Sequence, residues 1–214
     1  MTLAADLRSE IIPVLENDGL EILAFRLDSE PDLMQGIDTC LSEDERRRAE
    51  GLVWERDRRR YVVTRSRLRH LLASRLGIPP SDIELKYGPQ GKPRLSPRMS
   101  VRDLHFGVSR SDDLAVIAFS RAGEVGIDIE AVRPLAEADD IASLCFTKPE
   151  YESYCALGLE KRLEGFLQRW TRLEAISKAL GCGLGCSFPS DDNDWTIHPF
   201  APEPGYIGTV VFHK

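Results

Sequence analysis

"LAVIAFSRAGEVGIDIE", residues 114–130, holds two short apolar runs separated by Arg121-Ala122-Gly123. Runs rich in Val, Ile and Phe and bounded by a turn predict strands, here a hairpin of 114–120 with 124–130. Side chains alternate faces along a strand. Ile127 and Ile129 are therefore expected in the core, with Asp128 and Glu130 together on the other face. Two anions side by side repel unless something positive lies between them. Simple exposure at a sheet edge satisfies the pattern. So does a hard cation, because Mg²⁺ takes one or two carboxylates with waters and substrate phosphates. Glu174 is a candidate third carboxylate.

Outward from this stretch the pattern is mixed. Toward the N-terminus, "LEILAFRL" (20–27) alternates as a first strand. "LSEDERRRAEGL" carries Ser42 as N-cap and Glu45 in capping-box position. A long helix from Trp54 to Leu76 stops at Gly77, with Pro79 and Pro80 beyond. "IELKYG" and "LHFGVSRS" are expected strands around the turn-rich "GPQGKPRLSP". Toward the C-terminus come a helix in "RPLAEADDIASLCF", then "TKPEYESYCAL", then a helix from near Lys161 to Gly181. "DWTIHPF" and "GYIGTVVFH" close the chain as antiparallel strands. Helices with antiparallel strands in each half define an α+β class, and two lobes, if present, meet near residues 121–123.

The 214-residue chain has a net charge of −7, which argues against nucleic-acid coating. It shows no signal peptide and no apolar stretch of membrane-spanning length, so a cytoplasmic protein is expected. The five cysteines have no framework or zinc spacing and are expected as small buried thiols. Within this acidic chain, "RRRAEGLVWERDRRRYVVTRSRLR" (46–69) is strongly Arg-rich. It fits either a solvated helix face or a site for a polyanion, since Arg suits phosphate. Rival motifs are missing: there is no P-loop, "GCGLG" follows a helix rather than a strand, and "GVSRS" is not G-x-S-x-G.

In "WTRLEAISKAL" (170–180), Leu173, Ile176 and Leu180 form an apolar stripe, and Glu174 precedes Lys178 by four residues. A surface pair of this kind contributes roughly 0.2–0.5 kcal/mol. The alternative joins Glu174 to Asp128 and Glu130 around a cation, with Lys178, Lys92 and the arginines facing a polyphosphate.

The ordered set "LSEDERRRAE", "ERDRRRYVVTRSRLRHLLASRLG", "GPQGKPRL", "HFGVSRS", "VGIDIEAVRP" and "FLQRWTRLEAISKALGCGL" resembles the 4′-phosphopantetheinyl transferases of the surfactin-synthetase-activating type. The resemblance implies a pseudo-dimer of two similar α+β lobes with the active site in the cleft between them. It places residues 1–121 in an N-terminal lobe with the coenzyme A-binding basic helix and GKP loop. Residues 122–214 form a C-terminal lobe with the carboxylates and the W-x-x-x-E-A-x-x-K helix. It implies Mg²⁺-dependent transfer of phosphopantetheine from coenzyme A to a serine of an acyl or peptidyl carrier protein, as in holo-[acyl-carrier-protein] synthases, by a monomer. Asp128, Glu130 and Glu174 would hold the metal, and Lys178 would meet a phosphate oxygen. Lys92, Arg56, Arg48 and Arg65 would lie near the adenosine 3′-phosphate and base. Ser109 and Arg110 would touch the diphosphate. Glu174 or Glu150 would take the serine proton, and Trp170 would wall the cleft or pack in the core.

Two positions depart from the family pattern. Gly107-Val108-Ser109-Arg110-Ser111 stands where Asn-Leu-Ser-His-Ser is usual, so Arg110 keeps a positive charge but cannot titrate near neutral pH. Leu173 replaces a lysine and joins the apolar stripe. The alternative that these departures raise is a degenerate relative that binds coenzyme A or a carrier protein without efficient turnover.

Overall fold

The computed structural model describes residues 11–17, 19–28, 37–99, 103–184 and 195–213. Among the described residues, nine strands and five α-helices form a two-lobed α+β fold in which two sheets pack face to face, each with one long helix on its outer side. The first sheet has the antiparallel order β1 (Ile12–Asn17), β2 (Leu20–Arg26), β6 (Leu114–Ser120), β5 (His105–Ser111). The second is β7 (Val125–Ala131), β9 (Tyr206–His213), β8 (Trp195–Phe200). A small hairpin, β3 (Leu85–Tyr87) with β4 (Pro93–Leu95), stands apart.

Alternation along the strands builds the layers. Leu23, Phe25, Ile117 and Phe119 face helix α2 (Glu55–Leu76), meeting Val63, Leu68 and Leu72. Ile22, Ala24, Val116 and Ala118 turn the other way and meet Val125, Ile127, Ile129 and Val210 of the second sheet. Both faces of β6 are therefore covered, and all seven of its residues are buried. Beyond the second sheet, Ala175, Ile176 and Ala179 of α5 (Leu159–Leu180) pack on Val211. Helices α2 and α5 match in plan: each has 22 residues and ends at a left-handed glycine, Gly77 or Gly181. The remaining helices are α1 (Glu43–Glu50), α3 (Ala138–Cys145) and α4 (Lys148–Cys155).

The capping box at the start of α1 is present as the sequence predicts, with Glu45 Oε2 accepting the Ser42 N–H at 3.0 Å. The same buried oxygen accepts from Arg69 Nε at 2.7 Å, locking α1 to α2. Four expectations change. Residues 114–120 and 124–130 are not a hairpin: β6 pairs with β2 and β5, whereas β7 pairs with β9. The chain uses residues 121–124 to pass from one sheet to the other. A strand, β1, precedes the expected first strand, and another, β4, lies inside the supposed turn. The helix expected over 133–146 is ordered as such only from Ala138 to Cys145. Of the cysteines, Cys40 is a buried thiol, Cys145 is half-buried and Cys155 is exposed, while Cys182 is disulfide-bonded. Cys186 and Asp194 lie outside the described residues.

Candidate active site

Where the sheets pack, the edge strand β7 lies against the inner face of the edge strand β5, so close that a Cβ on Gly107 would meet the Val125 and Ile127 backbone at 3.4 Å, and the site is built on that seam. Serines at 109 and 111 on β5 face carboxylates at 128 and 130 on β7, the same i, i+2 spacing on both strands. Ser109 Oγ donates to Asp128 Oδ1 at 2.8 Å and accepts the Ile129 N–H at 3.3 Å. Ser111 Oγ donates to Glu130 Oε2 at 2.6 Å and accepts the Ala131 N–H at 3.0 Å. The serines thus satisfy backbone groups at the strand edge while fixing both carboxylates.

Helix α5 brings the remaining groups. It lies so close to β7 that a Cβ on Gly126 would overlap the Ala175 carbonyl oxygen and the Ala179 amide nitrogen. Only glycine permits this approach. Glu174 and Lys178, each one residue before those alanines, enter the same cleft as Asp128 and Glu130. Lys178 Nζ reaches Asp128 Oδ1 at 2.5 Å and Ser109 Oγ at 3.2 Å. The lysine's ion pair is therefore made across the lobe, to Asp128.

The cleft has a volume of about 630 Å³. Its floor is acidic, with Asp128, Glu130 and Glu174. Helix α2 and strand β5 add Tyr61, Thr64, Arg65 and Arg110 to its lining. Arg65 lies 5.4 Å from the Tyr61 ring centroid and 5.5 Å from that of Tyr87. The Tyr61 hydroxyl is buried and has no partner among the described residues. Partial enclosure by the cleft walls, then repulsion from Arg65 and Arg60, holds the Arg110 pKa below its usual value. A larger cavity of 1390 Å³ between α2 and the β1–β2 edge is lined by Leu20, Leu23, Leu71 and Phe119, and contains none of these acids.

Burial raises the pKa of Asp128 even against Lys178 and Ser109. It raises Glu130 as well, helped by repulsion from Asp128 and opposed by bonds from Ser111 and Trp170. Glu174 is raised first by burial, then by the charges of Asp128 and Glu130, against the pull of Lys178. The acids are therefore raised chiefly by burial, and repulsion among them adds to it for Glu130 and Glu174. Asp128 Oδ2 is buried with no hydrogen-bond partner among the described residues. Those residues contain no set of three or more His, Cys, Asp or Glu at metal-holding spacing. Even so, an orphaned carboxylate oxygen beside two further acids fits a divalent cation that takes few protein ligands.

Residues 124–209 match the family described as the 4′-phosphopantetheinyl transferase superfamily, and residues 29–122 match that described as 4′-phosphopantetheinyl transferase, N-terminal. The chain is 33% identical over 170 residues to the 4′-phosphopantetheinyl transferase HetI of Nostoc sp., covering 79% of this chain and 72% of the relative. The chain belongs to the 4′-phosphopantetheinyl transferase superfamily. It is also 38% identical over 124 residues to the 4′-phosphopantetheinyl transferase AcpT of Escherichia coli, 58% of each chain. With the L-aminoadipate-semialdehyde dehydrogenase-phosphopantetheinyl transferase of Mus musculus it shares 31% identity over 176 residues, 78% of this chain and 56% of the relative.

Within this transferase, Asp128, Glu130, Glu174, Lys178, Ser109, Arg110, Arg65 and Lys92 all line the one cleft. Three other residues singled out in the sequence do not line it. Arg48 stacks on Tyr87 at 4.2 Å, the ring that Arg65 also approaches. Arg56 is exposed on the first turn of α2. Glu150 caps α4 through Thr147 N and Oγ1 and pairs with Arg172 at 3.0 Å. Burial alone would raise the Glu150 pKa, but these partners outweigh it and lower the pKa. Trp170 fills both roles considered for it, since it stacks on Phe166 at 6.0 Å and lines the cleft. Sequence reasoning missed Tyr61 and Thr64. The available signal was their helical spacing, four residues and one residue before Arg65.

No helix among the described residues is long and apolar enough to cross a membrane.

Proposed function

We propose that this chain transfers the 4′-phosphopantetheine group of coenzyme A to a serine hydroxyl of an apo acyl or peptidyl carrier protein, releasing 3′,5′-ADP. The observation that carries the reading is the meeting of Asp128, Glu130, Glu174 and Lys178 in a cleft that Arg65 and Arg110 also line. Asp128, through its unpartnered Oδ2, together with Glu130 and Glu174, would hold Mg²⁺. When bound, the metal supplies charge neutralisation for the diphosphate.

The protein's own groups divide the remaining work. Arg65 and Arg110 bind phosphate oxygens by their forked donors, and the unpartnered Tyr61 hydroxyl supplies a further donor. Ser109 and Ser111 hold Asp128 and Glu130 in place. Glu174 accepts the proton of the incoming serine hydroxyl, whose oxygen attacks the phosphorus next to the pantetheine arm. The bond from that phosphorus to the 3′,5′-ADP oxygen breaks. Lys178 donates a hydrogen bond to the departing oxygen, where negative charge grows. The matched lobes supply both walls of the cleft from a single chain, which supports a monomer.

The test is incubation with coenzyme A, Mg²⁺ and a panel of apo carrier proteins, followed by intact-mass measurement. A carrier heavier by one phosphopantetheine group is expected. Coenzyme A binding by calorimetry with no mass gain on any carrier would favour the non-catalytic binder instead.

A further inference from the structure

Lys92 lines the cleft, yet its ammonium is turned away from it. The ammonium carries three N–H donors, and the structure gives each a partner: Glu124 Oε2 at 2.7 Å, Val125 O at 3.1 Å and Ala179 O at 3.1 Å. The side chain is only 10% exposed. None of the three acceptors lies on the GKP loop that carries the lysine. Two belong to the entry of β7 and one to the last turn of α5.

We infer that Lys92 is a positioning residue, which clamps the GKP loop to the end of α5 and the start of β7 rather than holding a phosphate of the substrate. The last carbonyls of a helix have no partner within it, and a cation placed there also meets the negative end of the dipole. Ser177 O is bonded by the amides of Gly181 and Cys182, and Lys92 takes Ala179 O. That carbonyl follows Lys178 directly along the chain, and Ala179 is one of the residues pressed on Gly126. The clamp therefore acts on the turn that carries Lys178 to Asp128 and Ser109.

Glu124 is built as the anchor. Besides Lys92 it accepts from Arg94 Nη1, and His105 Nδ1 lies 3.5 Å away. Lys92, just before β4, and Arg94, within it, thus grip a single carboxylate. Arg65 and Arg110 also line the cleft, and on the function proposed above they provide the phosphate donors that Lys92 does not.

The kinetic arm of the test rests on the transferase activity proposed above, whereas the stability arm does not. In the stability arm, Lys92→Met, Glu124→Gln and the double variant are melted without substrate. Each single variant is expected to lose several degrees, and the double variant no more than the larger single loss. Additive losses would overturn the clamp. In the kinetic arm, Lys92→Met should lower kcat with little change in KM for coenzyme A, and should preserve the preference for coenzyme A over 3′-dephospho-coenzyme A. A raised KM at unchanged kcat, or loss of that preference, would make Lys92 a phosphate ligand. Should Lys92→Met fail to fold, Glu124→Gln decides: a clamp predicts lower kcat at constant KM, whereas a phosphate ligand freed from its carboxylate predicts a lower KM. If the wild type transfers nothing, the melts alone judge the clamp.

Discussion

Ser109 Oγ stands 2.8 Å from Asp128 Oδ1, with Lys178 Nζ 3.2 Å from the same hydroxyl and 2.5 Å from the same carboxylate oxygen. One serine on the edge of the first sheet therefore touches the acid of the second sheet and the base of α5. Its hydroxyl also accepts the Ile129 N–H, so the contact holds the two sheet edges together as well as ordering the site.

Ser109→Ala should separate these duties from mere packing. It leaves a buried N–H and a nearly buried carboxylate each short of a partner, a loss of about 1–3 kcal/mol. Urea unfolding should show the lower midpoint, and Ser109→Thr, which keeps the hydroxyl, should recover much of it. An alanine variant as stable as wild type would mean that water replaces the hydroxyl without cost.

Gly126→Ala tests how tightly α5 is seated. The added methyl has backbone, not side chain, in its way, so neither helix nor strand can yield locally. Overpacking of this kind costs about 1–3 kcal/mol or more, and the displaced helix carries Glu174 and Lys178 with it. Both stability and transfer should fall. Gly88→Ala is the control, since its Cβ would meet nothing closer than 3.8 Å.

Much of this architecture was legible in the residues. Glycines 77 and 181 marked the ends of both long helices, Ser42 and Glu45 marked a capping box, and the alternation of 127–130 placed isoleucines inward and acids together. What escaped was set by partners distant in sequence. Local pattern gives residues 114–130 as a hairpin, and only the burial of both faces of β6 explains why the second run leaves for another sheet. Pro13 hid β1, an edge strand where proline is tolerated. A lysine in a glycine-rich loop suggests phosphate, but which way its ammonium turns depended on carbonyls 33 and 87 residues away. Glu150 entered through the family resemblance, and the only local sign of its capping duty is Thr147, three residues before it.

Glu174→Gln should cut transfer by at least about 100-fold, the lower range for loss of a general base, while leaving the protein folded. The raised pKa values of Asp128, Glu130 and Glu174 fix the sign of the stability effect. A carboxyl whose folded pKa exceeds its unfolded value takes up protons on folding. Its contribution is complete below the unfolded values, roughly pH 4, and is lost as pH rises through the raised folded values. Removing one such acid should flatten that decline, so the variant gains on wild type as pH rises from mild acid to neutrality. Lowered acids such as Glu124 and Asp113 slope the other way, but they are common to both proteins and cancel. Thermal midpoints across the pH series provide the measurement.

Added Mg²⁺ should raise the thermal midpoint at neutral pH by binding the folded state alone. Chelator should reverse the gain. Asp128→Asn, which removes the charge behind the unpartnered Oδ2, should abolish most of the increase while the variant still melts cooperatively. An equal increase in wild type and variant would place the ion elsewhere on this acidic surface.

Arg110→His restores the residue usual in the family and asks what the arginine is for. A histidine titrates near ~6.5, so the variant's kcat/KM for coenzyme A should acquire a limb in that region that the wild type lacks. Above the limb the imidazole is neutral, one cation is gone from the lining shared with Arg65, and KM should rise. Below it the charge returns, but not the forked donor geometry, so the recovery should be partial. A pH profile identical to that of wild type would show that residue 110 does not meet the phosphates, and the cationic lining would then reduce to Arg65 and its tyrosine neighbours.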